Sequence, residues 1–210
     1  MKPAGPMILY GFKKSGHSHR AELLLRFLGL PFDLREIDLA GGEHKRAAFL
    51  KLNPYGTVPV LDDGGTIIAD SVAILVYVAT KYDLDRSWLP TDPIRAAQVQ
   101  RWLSVAQGPV FNGPCAARLF TVFNAPLDHA RAKRIAQDFL GVFDAQLGGR
   151  TFVVEDGPTL ADVALYSYIA HAPEGGVSLE PYRQVRDWLA RVEALPHFEG
   201  MPRTKAGLVA

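Results

Sequence analysis

The chain carries one cysteine, Cys115, in 210 residues. A lone thiol excludes an intramolecular disulfide and any two-thiol redox cycle within one chain, and it fits a reducing, cytoplasmic setting. Net charge is nearly absent as well, with 23 basic residues against 22 acidic ones. Such a balance offers no electrostatic attraction to nucleic acid or to an anionic membrane, so small-molecule or protein partners are expected. No apolar run approaches the roughly 20 residues that a membrane helix needs, and the start Met1-Lys2-Pro3-Ala4-Gly5-Pro6 lacks the apolar core of a signal peptide. Metal-ligand spacing, a Ser-His-Asp order, a phosphate loop and a Gly-x-Gly-x-x-Gly turn are all missing. Cofactors are therefore expected to be none.

What is present is a change of pattern about eighty residues along. Met7-Ile8-Leu9-Tyr10 is an apolar run too short for a helix and suited to a buried strand. Ala21, Leu24, Leu25 and Leu28 then recur at helical spacing and stop at Gly29 and Pro31. Phe32 to Leu39 reads as a second strand, with Ile37 and Leu39 out of phase, which calls for a bulge or an early end. A helix is expected from about Glu43 to Leu52, halted by Asn53-Pro54. Val58-Pro59-Val60-Leu61, the turn Asp62-Asp63-Gly64-Gly65 and Ile67-Ile68-Ala69 read as a strand pair. Asp70-Ser71 then opens a helix that is apolar nearly all round, running from Val72 to Tyr82.

From Asp83 to Pro93 the pattern lapses into turn residues, and beyond it only helices are expected. The first of these meets Gly108-Pro109 and Gly113-Pro114, and an interior proline costs a helix about 3 kcal/mol, so it should be kinked or split before Leu119. Another runs from about Leu127 to Leu147. Thr159-Leu160-Ala161-Asp162 has the form of a capping box with Asp in place of Glu. The division is thus 1–82 alternating strand and helix, 83–93 linker, and 94–210 all helical.

Two places could carry chemistry. Ser15-x-x-Ser18 lies at the start of the first helix, where a dithiol redox protein would carry Cys-x-x-Cys. Hydroxyls cannot form a disulfide, so dithiol exchange is excluded there. A hydroxyl can still donate to a bound thiolate, and the positive end of the helix favours the same anion. The second place is Asp70-Ser71, a helix start able to hold a charged small molecule. Both pairs also read as plain N-caps, and Tyr10 reads as core. His44 reads as a solvated helix residue, while Phe111, Cys115, Arg118 and His171 read as packing or structural residues.

Together these pieces resemble the cytosolic glutathione transferases over nearly the whole chain. Four stretches carry the likeness: Leu9-Tyr10-x4-Ser15-x4-Arg20; Leu52-Asn53-Pro54-x3-Val58-Pro59-Val60-Leu61; Asp70-Ser71-x-Ala73-Ile74; and Thr159-Leu160-Ala161-Asp162-Val163. The resemblance implies an α/β thioredoxin-like N-terminal domain followed by an all-α C-terminal domain, a homodimer, and a reaction that joins glutathione to a small hydrophobic electrophile bound under the Pro109–Pro114 region. By the same resemblance Ser15 steadies the thiolate, with Ser18 and Tyr10 as alternative hydroxyls. Thr57, Val58 and a cis Pro59 meet the cysteinyl part of glutathione, Asp70 and Ser71 meet its γ-glutamyl end, and His44 meets the glycyl carboxylate. Asp70 stands where the family commonly has Glu. Serine-type classes are the nearest in motif, the zeta class above all, although that class carries Ser-Ser-Cys where this chain has Ser15-Gly16-His17. Glutathione-dependent reduction of peroxides or disulfides, and a binding module without turnover, are the alternative readings.

Overall fold

A computed structural model describes residues 3, 5–154 and 157–204. The chain divides into two compact units, Met1–Leu89 with Pro196–Met201, and Pro90–Leu195 with Pro202–Ala210.

The first unit is built on a four-stranded mixed sheet in the order β2-β1-β3-β4. Strand β1 (Met7–Gly11) pairs in parallel with β2 (Phe32–Glu36), and helix α1 (Gly16–Phe27) makes the crossover. A parallel pair needs such a crossover. Strand β3 (Val60–Asp63) pairs antiparallel with both β1 and β4 (Thr66–Ala69), and the β3–β4 turn uses Gly64 and Gly65 at φ 60° and 92°. Alternation along β1 sends Met7 and Leu9 to one face, where they are buried in the core with Leu23, Leu24, Ile74 and Val78. These last four come from α1 and from α3 (Ser71–Tyr82), which pack against each other. Tyr10 belongs to a smaller cluster of Ile37, Phe49 and Val60.

Two boundaries differ from the sequence reading. β2 ends at Glu36, so the out-of-phase Ile37 and Leu39 lie beyond the ladder, with Ile37 buried. The helix expected from Glu43 to Leu52 shrinks to a 3₁₀ turn at Glu43–Lys45 and a four-residue α2, Ala47–Leu50. Arg46 sits between them in an extended conformation, φ −77° and ψ 151°, which interrupts helical propagation. α3 is fastened to β3 by Asp63, whose Oδ2 accepts from Tyr77 at 2.7 Å, Lys81 at 2.6 Å and Tyr82 at 2.6 Å. Burial pushes this carboxyl up, yet the donors from Lys81, Tyr77 and Tyr82 outweigh it and hold the pKa below its ordinary value.

The second unit is helical among the described residues. α4 (Pro93–Gln107) starts with Asp92 as cap and Pro93 in its first turn. Pro109 and Pro114 then force a break: Phe111–Cys115 forms a π turn before α5 (Ala116–Phe123). Asn112 bridges the break, its backbone N–H and its side-chain Nδ2 each donating to Gly108 O at 2.9 Å. α6 (His129–Leu147) lies against the π turn and against α8 (Arg183–Glu193). α7 (Leu160–Ala170) is buried from Leu160 through Ile169. Its capping box is formed, with Thr159 N–H donating to Asp162 Oδ2 at 2.8 Å, while Trp188 of α8 donates its indole N–H to Asp162 Oδ1 at 2.8 Å. Phe143 meets Trp102 and Trp188 edge-on at 5.3 Å and 5.2 Å, which puts the aromatic centre of this unit between α4, α6 and α8.

Candidate active site

In the first unit the chain turns from β1 into α1 through Ser15, whose extended backbone (φ −94°, ψ 118°) is that of an N-cap. Its hydroxyl oxygen accepts from Ser18 N–H at 3.3 Å. Among the described residues the Ser15 hydroxyl donates to no acceptor, so its proton is available to a ligand at the start of α1. Ser18 is committed elsewhere: it is buried, and its Oγ accepts from Phe12 N–H at 3.1 Å to close the turn. Tyr10 packs against Ile37, Phe49 and Val60 with the Arg35 guanidinium 5.4 Å from its ring centroid. Of the three hydroxyls considered from the sequence, Ser15 is the one that caps a helix and is not buried.

The stretch from Asn53 to Pro59 is organised by a residue that sequence reasoning treated only as a helix stop. Asn53 is buried, and its Nδ2 donates to Thr57 O at 2.8 Å and to Thr57 Oγ1 at 3.0 Å. Its Oδ1 accepts from Tyr55 N–H at 3.1 Å, and Gly56 turns the chain at φ 58°. A Cβ at Gly56 would lie 2.7 Å from His44 O, so the close approach of the two loops requires glycine there. Thr57 is exposed and Val58 half-buried, and the Val58–Pro59 peptide bond is cis. His44 sits in the 3₁₀ turn with Nδ1 enclosed and, among the described residues, without a hydrogen-bond partner.

Asp70 caps α3. Its Oδ1 accepts from Val72 N–H at 2.8 Å and Ala73 N–H at 3.0 Å, and its backbone holds φ 78°, an uncommon value for a residue with a Cβ. Ser71, the first residue of α3, is 2% exposed, and its Oγ lies 3.3 Å from His17 Nδ1. His17 was not singled out in the sequence. It lies on α1, and burial first, then the charge of Arg20, lowers its pKa from 6.5 to about 3. It is neutral at pH 7. The His17–Ser71 contact thus joins α1 to α3 near their starts, where Ser15 and Asp70 are the caps. The positive ends of two helix dipoles and a hydroxyl proton make this a place for an anionic group. Among the described residues no group of His, Cys, Asp and Glu side chains could hold a metal ion, and no helix is long and apolar enough to cross a membrane.

Comparison with known proteins agrees with the architecture. The glutathione S-transferase N-terminal domain matches residues 15–81, and the glutathione S-transferase C-terminal domain matches residues 125–196. Glutathione S-transferase 3 of Zea mays is 32% identical over 207 residues, covering 92% of each chain. The chain belongs to the glutathione S-transferase family.

The structure of a glutathione S-transferase from Pseudomonas fluorescens superposes on it with a TM-score of 0.87 at 30% identity, covering 94% of this chain and 99% of that one. A glutathione transferase homolog from Drosophila mojavensis, solved with bound glutathione, superposes with a TM-score of 0.80 at 31% identity, covering 91% and 89%. The family fold, a thioredoxin-like α/β domain followed by a helical domain, is the one described above. This glutathione transferase has a serine at the start of α1 and a cysteine only at the buried position 115.

Proposed function

We propose that this glutathione transferase binds glutathione in its first unit and joins the glutathione sulfur to a small hydrophobic electrophile, a detoxifying conjugation. The observation that carries the reading is Ser15: a hydroxyl at the start of α1, holding the Ser18 N–H by its lone pair and keeping its own proton for a ligand. A free thiol has a pKa near 8.5, and lowering it by about 2 units takes about 2.7 kcal/mol. One charge-assisted hydrogen bond contributes about 1.5 to 3 kcal/mol, and the helix end adds about 0.3 to 1 kcal/mol, so Ser15 and α1 supply most of what is needed. The thiol proton leaves to solvent, the thiolate attacks the electrophilic carbon, and a C–S bond forms as the leaving group departs with its electron pair. The nucleophile is the glutathione sulfur and the serine is its donor.

The remaining assignments are those that the family resemblance implies. Thr57, Val58 and Pro59 present backbone to the cysteinyl part, the starts of α3 and α1 receive the γ-glutamyl end at Asp70 and Ser71, and His44 lies beside the loop for the glycyl carboxylate. Support for glutathione as the ligand comes from the maize relative's name and from the glutathione bound in the Drosophila mojavensis structure. A cytoplasmic homodimer is the proposed assembly, which sedimentation would test.

The direct test is the ultraviolet thiolate absorbance of enzyme-bound glutathione at neutral pH. The wild type should show it and Ser15→Ala should lose most of it, with conjugation of a halo-nitroarene falling in parallel. Equal thiolate signals in the two proteins would remove Ser15 from the mechanism. Turnover of hydroperoxides without halo-nitroarene conjugation would favour reduction over conjugation.

A further inference from the structure

Ser15 stands in a turn, and turn backbone moves more readily than the strand and helix on either side of it. Three hydrogen bonds close into a ring there. Ser15 N–H donates to Phe12 O at 2.8 Å, Phe12 N–H donates to Ser18 Oγ at 3.1 Å, and Ser18 N–H donates to Ser15 Oγ at 3.3 Å. One peptide ties the ring to the sheet: the carbonyl of Gly11, the last residue of β1, accepts from Ile37 N–H at 2.8 Å, and the N–H of the same peptide is the one that Phe12 gives to Ser18. Ser18 is also pressed against β1, since a Cβ at Gly11 would lie 3.2 Å from both its Cβ and its Oγ. Ser18 is 2% exposed and Ser15 half-buried, so Ser18 is the inner serine and Ser15 the outer one.

We infer that Ser18 is the positioning residue of the Ser15 hydroxyl: its Oγ fastens the first turn of α1 to the end of β1, and its N–H holds the Ser15 oxygen where it meets the glutathione sulfur. This rests on the glutathione reading above and adds to it a second serine, one that acts only through the first. The bond from Ser18 N–H to Ser15 Oγ, at 3.3 Å, lies at the long end of the N–H···O range, where a shift of a few tenths of an ångström loses it. Holding that distance depends on the anchor of Ser18 itself, which is Phe12 N–H. An oxygen that accepts from an N–H is also a better O–H donor, because successive hydrogen bonds polarise one another. Loosening Ser18 therefore weakens the donor to the sulfur both in its place and in its strength. Capping of α1 alone does not call for the Ser18 side chain, because the capping bond uses the backbone N–H of that residue. What the Ser18 hydroxyl adds is the tie to β1.

The thiolate absorbance of enzyme-bound glutathione, followed against pH, reads the effect directly. Ser18→Ala should raise the pKa of the bound thiol by about 0.5 to 1 unit, which makes the ratio of thiolate to thiol at neutral pH about three- to tenfold smaller. kcat should fall by about the same factor while the glutathione KM stays within about twofold, because the proposed contacts to the rest of the tripeptide lie in other turns. Ser15→Ala and Ser18→Ala combined should match Ser15→Ala alone, the non-additivity of two residues that act as a unit. Ser18→Cys keeps the shape and offers a weaker acceptor, so its bound-thiol pKa should lie between those of the wild type and Ser18→Ala. It carries the test in place of Ser18→Ala if the latter does not fold.

A bound-thiol pKa and kcat equal to the wild type's in Ser18→Ala, or in Ser18→Cys where the Ala variant does not fold, would make Ser18 a folding residue and overturn the assignment. So would a Ser18→Ala effect that persists undiminished in the Ser15→Ala background. Ser15→Ala by itself keeps the two readings apart. If it retains the wild-type thiolate signal, activation by Ser15 falls and the role of Ser18 falls with it. A signal lost in Ser15→Ala beside an unchanged one in Ser18→Ala overturns the role of Ser18 alone.

Discussion

Arg118 Nε donates to Glu174 Oε2 across 2.6 Å, and each side chain is 1% exposed. The pair joins α5 to the 3₁₀ turn at Ala172–Gly175 that follows α7. Glu174 is also the acceptor for His171 at 2.7 Å and for the backbone N–H and hydroxyl of Thr204 at 3.0 Å and 2.9 Å. One carboxylate therefore gathers groups from distant points of the second unit. Burial pushes its carboxyl up, but the Thr204, His171 and Arg118 donors hold it below the ordinary value.

Removing that carboxylate takes an acceptor from a buried guanidinium, from the buried His171 and from the half-buried Thr204. Breaking one side of a buried pair costs about 3 to 5 kcal/mol, so Glu174→Ala should lower the urea midpoint severely. Glu174→Gln, which keeps the volume and one acceptor oxygen, should lose less. Chemical denaturation followed by tryptophan fluorescence gives the order Ala below Gln below wild type, and an Ala variant within about 1 kcal/mol of wild type would show that the cluster is not a stability element.

Gly113 sits where the π turn meets α6, and a Cβ there would lie 2.8 Å from Ala136 N and 2.9 Å from Ala136 Cα. Both are backbone atoms and cannot rotate away. Gly113→Ala should destabilise by about 1 to 3 kcal/mol through forced separation of the two elements. Gly141, inside α6, is the contrast, because a Cβ there would meet nothing within 4 Å. Gly141→Ala should stabilise by about 0.5 to 1 kcal/mol. Paired thermal melts would show opposite signs.

Features that depend on neighbouring residues were legible in the sequence. Ser15, Asp70 and Thr159 all cap helices in the structure, and the prolines at 109 and 114 mark the π turn. Capping and proline chemistry act within a few residues, so a linear reading captures them. What it missed is long-range. His17 meets Ser71 across 54 positions, and Glu174 meets Thr204 across 30. The return of Pro196–Met201 to the first unit, where Glu199 O bonds His19 Nε2 at 2.8 Å and its carboxylate pairs with Arg26 at 2.7 Å, has no periodic signature either. Asn53 shows the limit within a motif: its place was read as a stop before Pro54, whereas its side chain shapes the loop that follows.

His17 also makes a prediction about acid. Its folded pKa is depressed from 6.5 to about 3, so between those values the unfolded chain binds a proton that the folded chain does not. Stability from this residue is whole above pH 6.5 and is lost as pH falls through about 3, with a slope no steeper than about 1.4 kcal/mol per pH unit. His17→Gln cannot take up that proton. Its urea midpoint should fall less steeply than the wild type's between pH 6.5 and 4, and parallel curves would mean that His17 titrates normally in the folded protein.

Asn53 should govern glutathione binding through the backbone that it holds. Asn53→Ala removes the acceptor of Tyr55 N–H and the donor to Thr57 O and Oγ1, and a lost buried partner costs about 1 to 3 kcal/mol. Thr57 then loses its anchor immediately before Val58, where the proposed ligand contact is made, so part of that loss falls on binding. The expected result is a glutathione KM raised about five- to tenfold with kcat little changed, because Ser15 belongs to a different turn. Asn53→Asp tests the direction of the bonds. It keeps the acceptor for Tyr55 but sets a carboxylate against the Thr57 carbonyl, so it should bind glutathione more weakly than Asn53→Ala despite the smaller change of shape. If both variants only lower the melting temperature and leave KM unchanged, the loop is held for folding and the ligand does not depend on it.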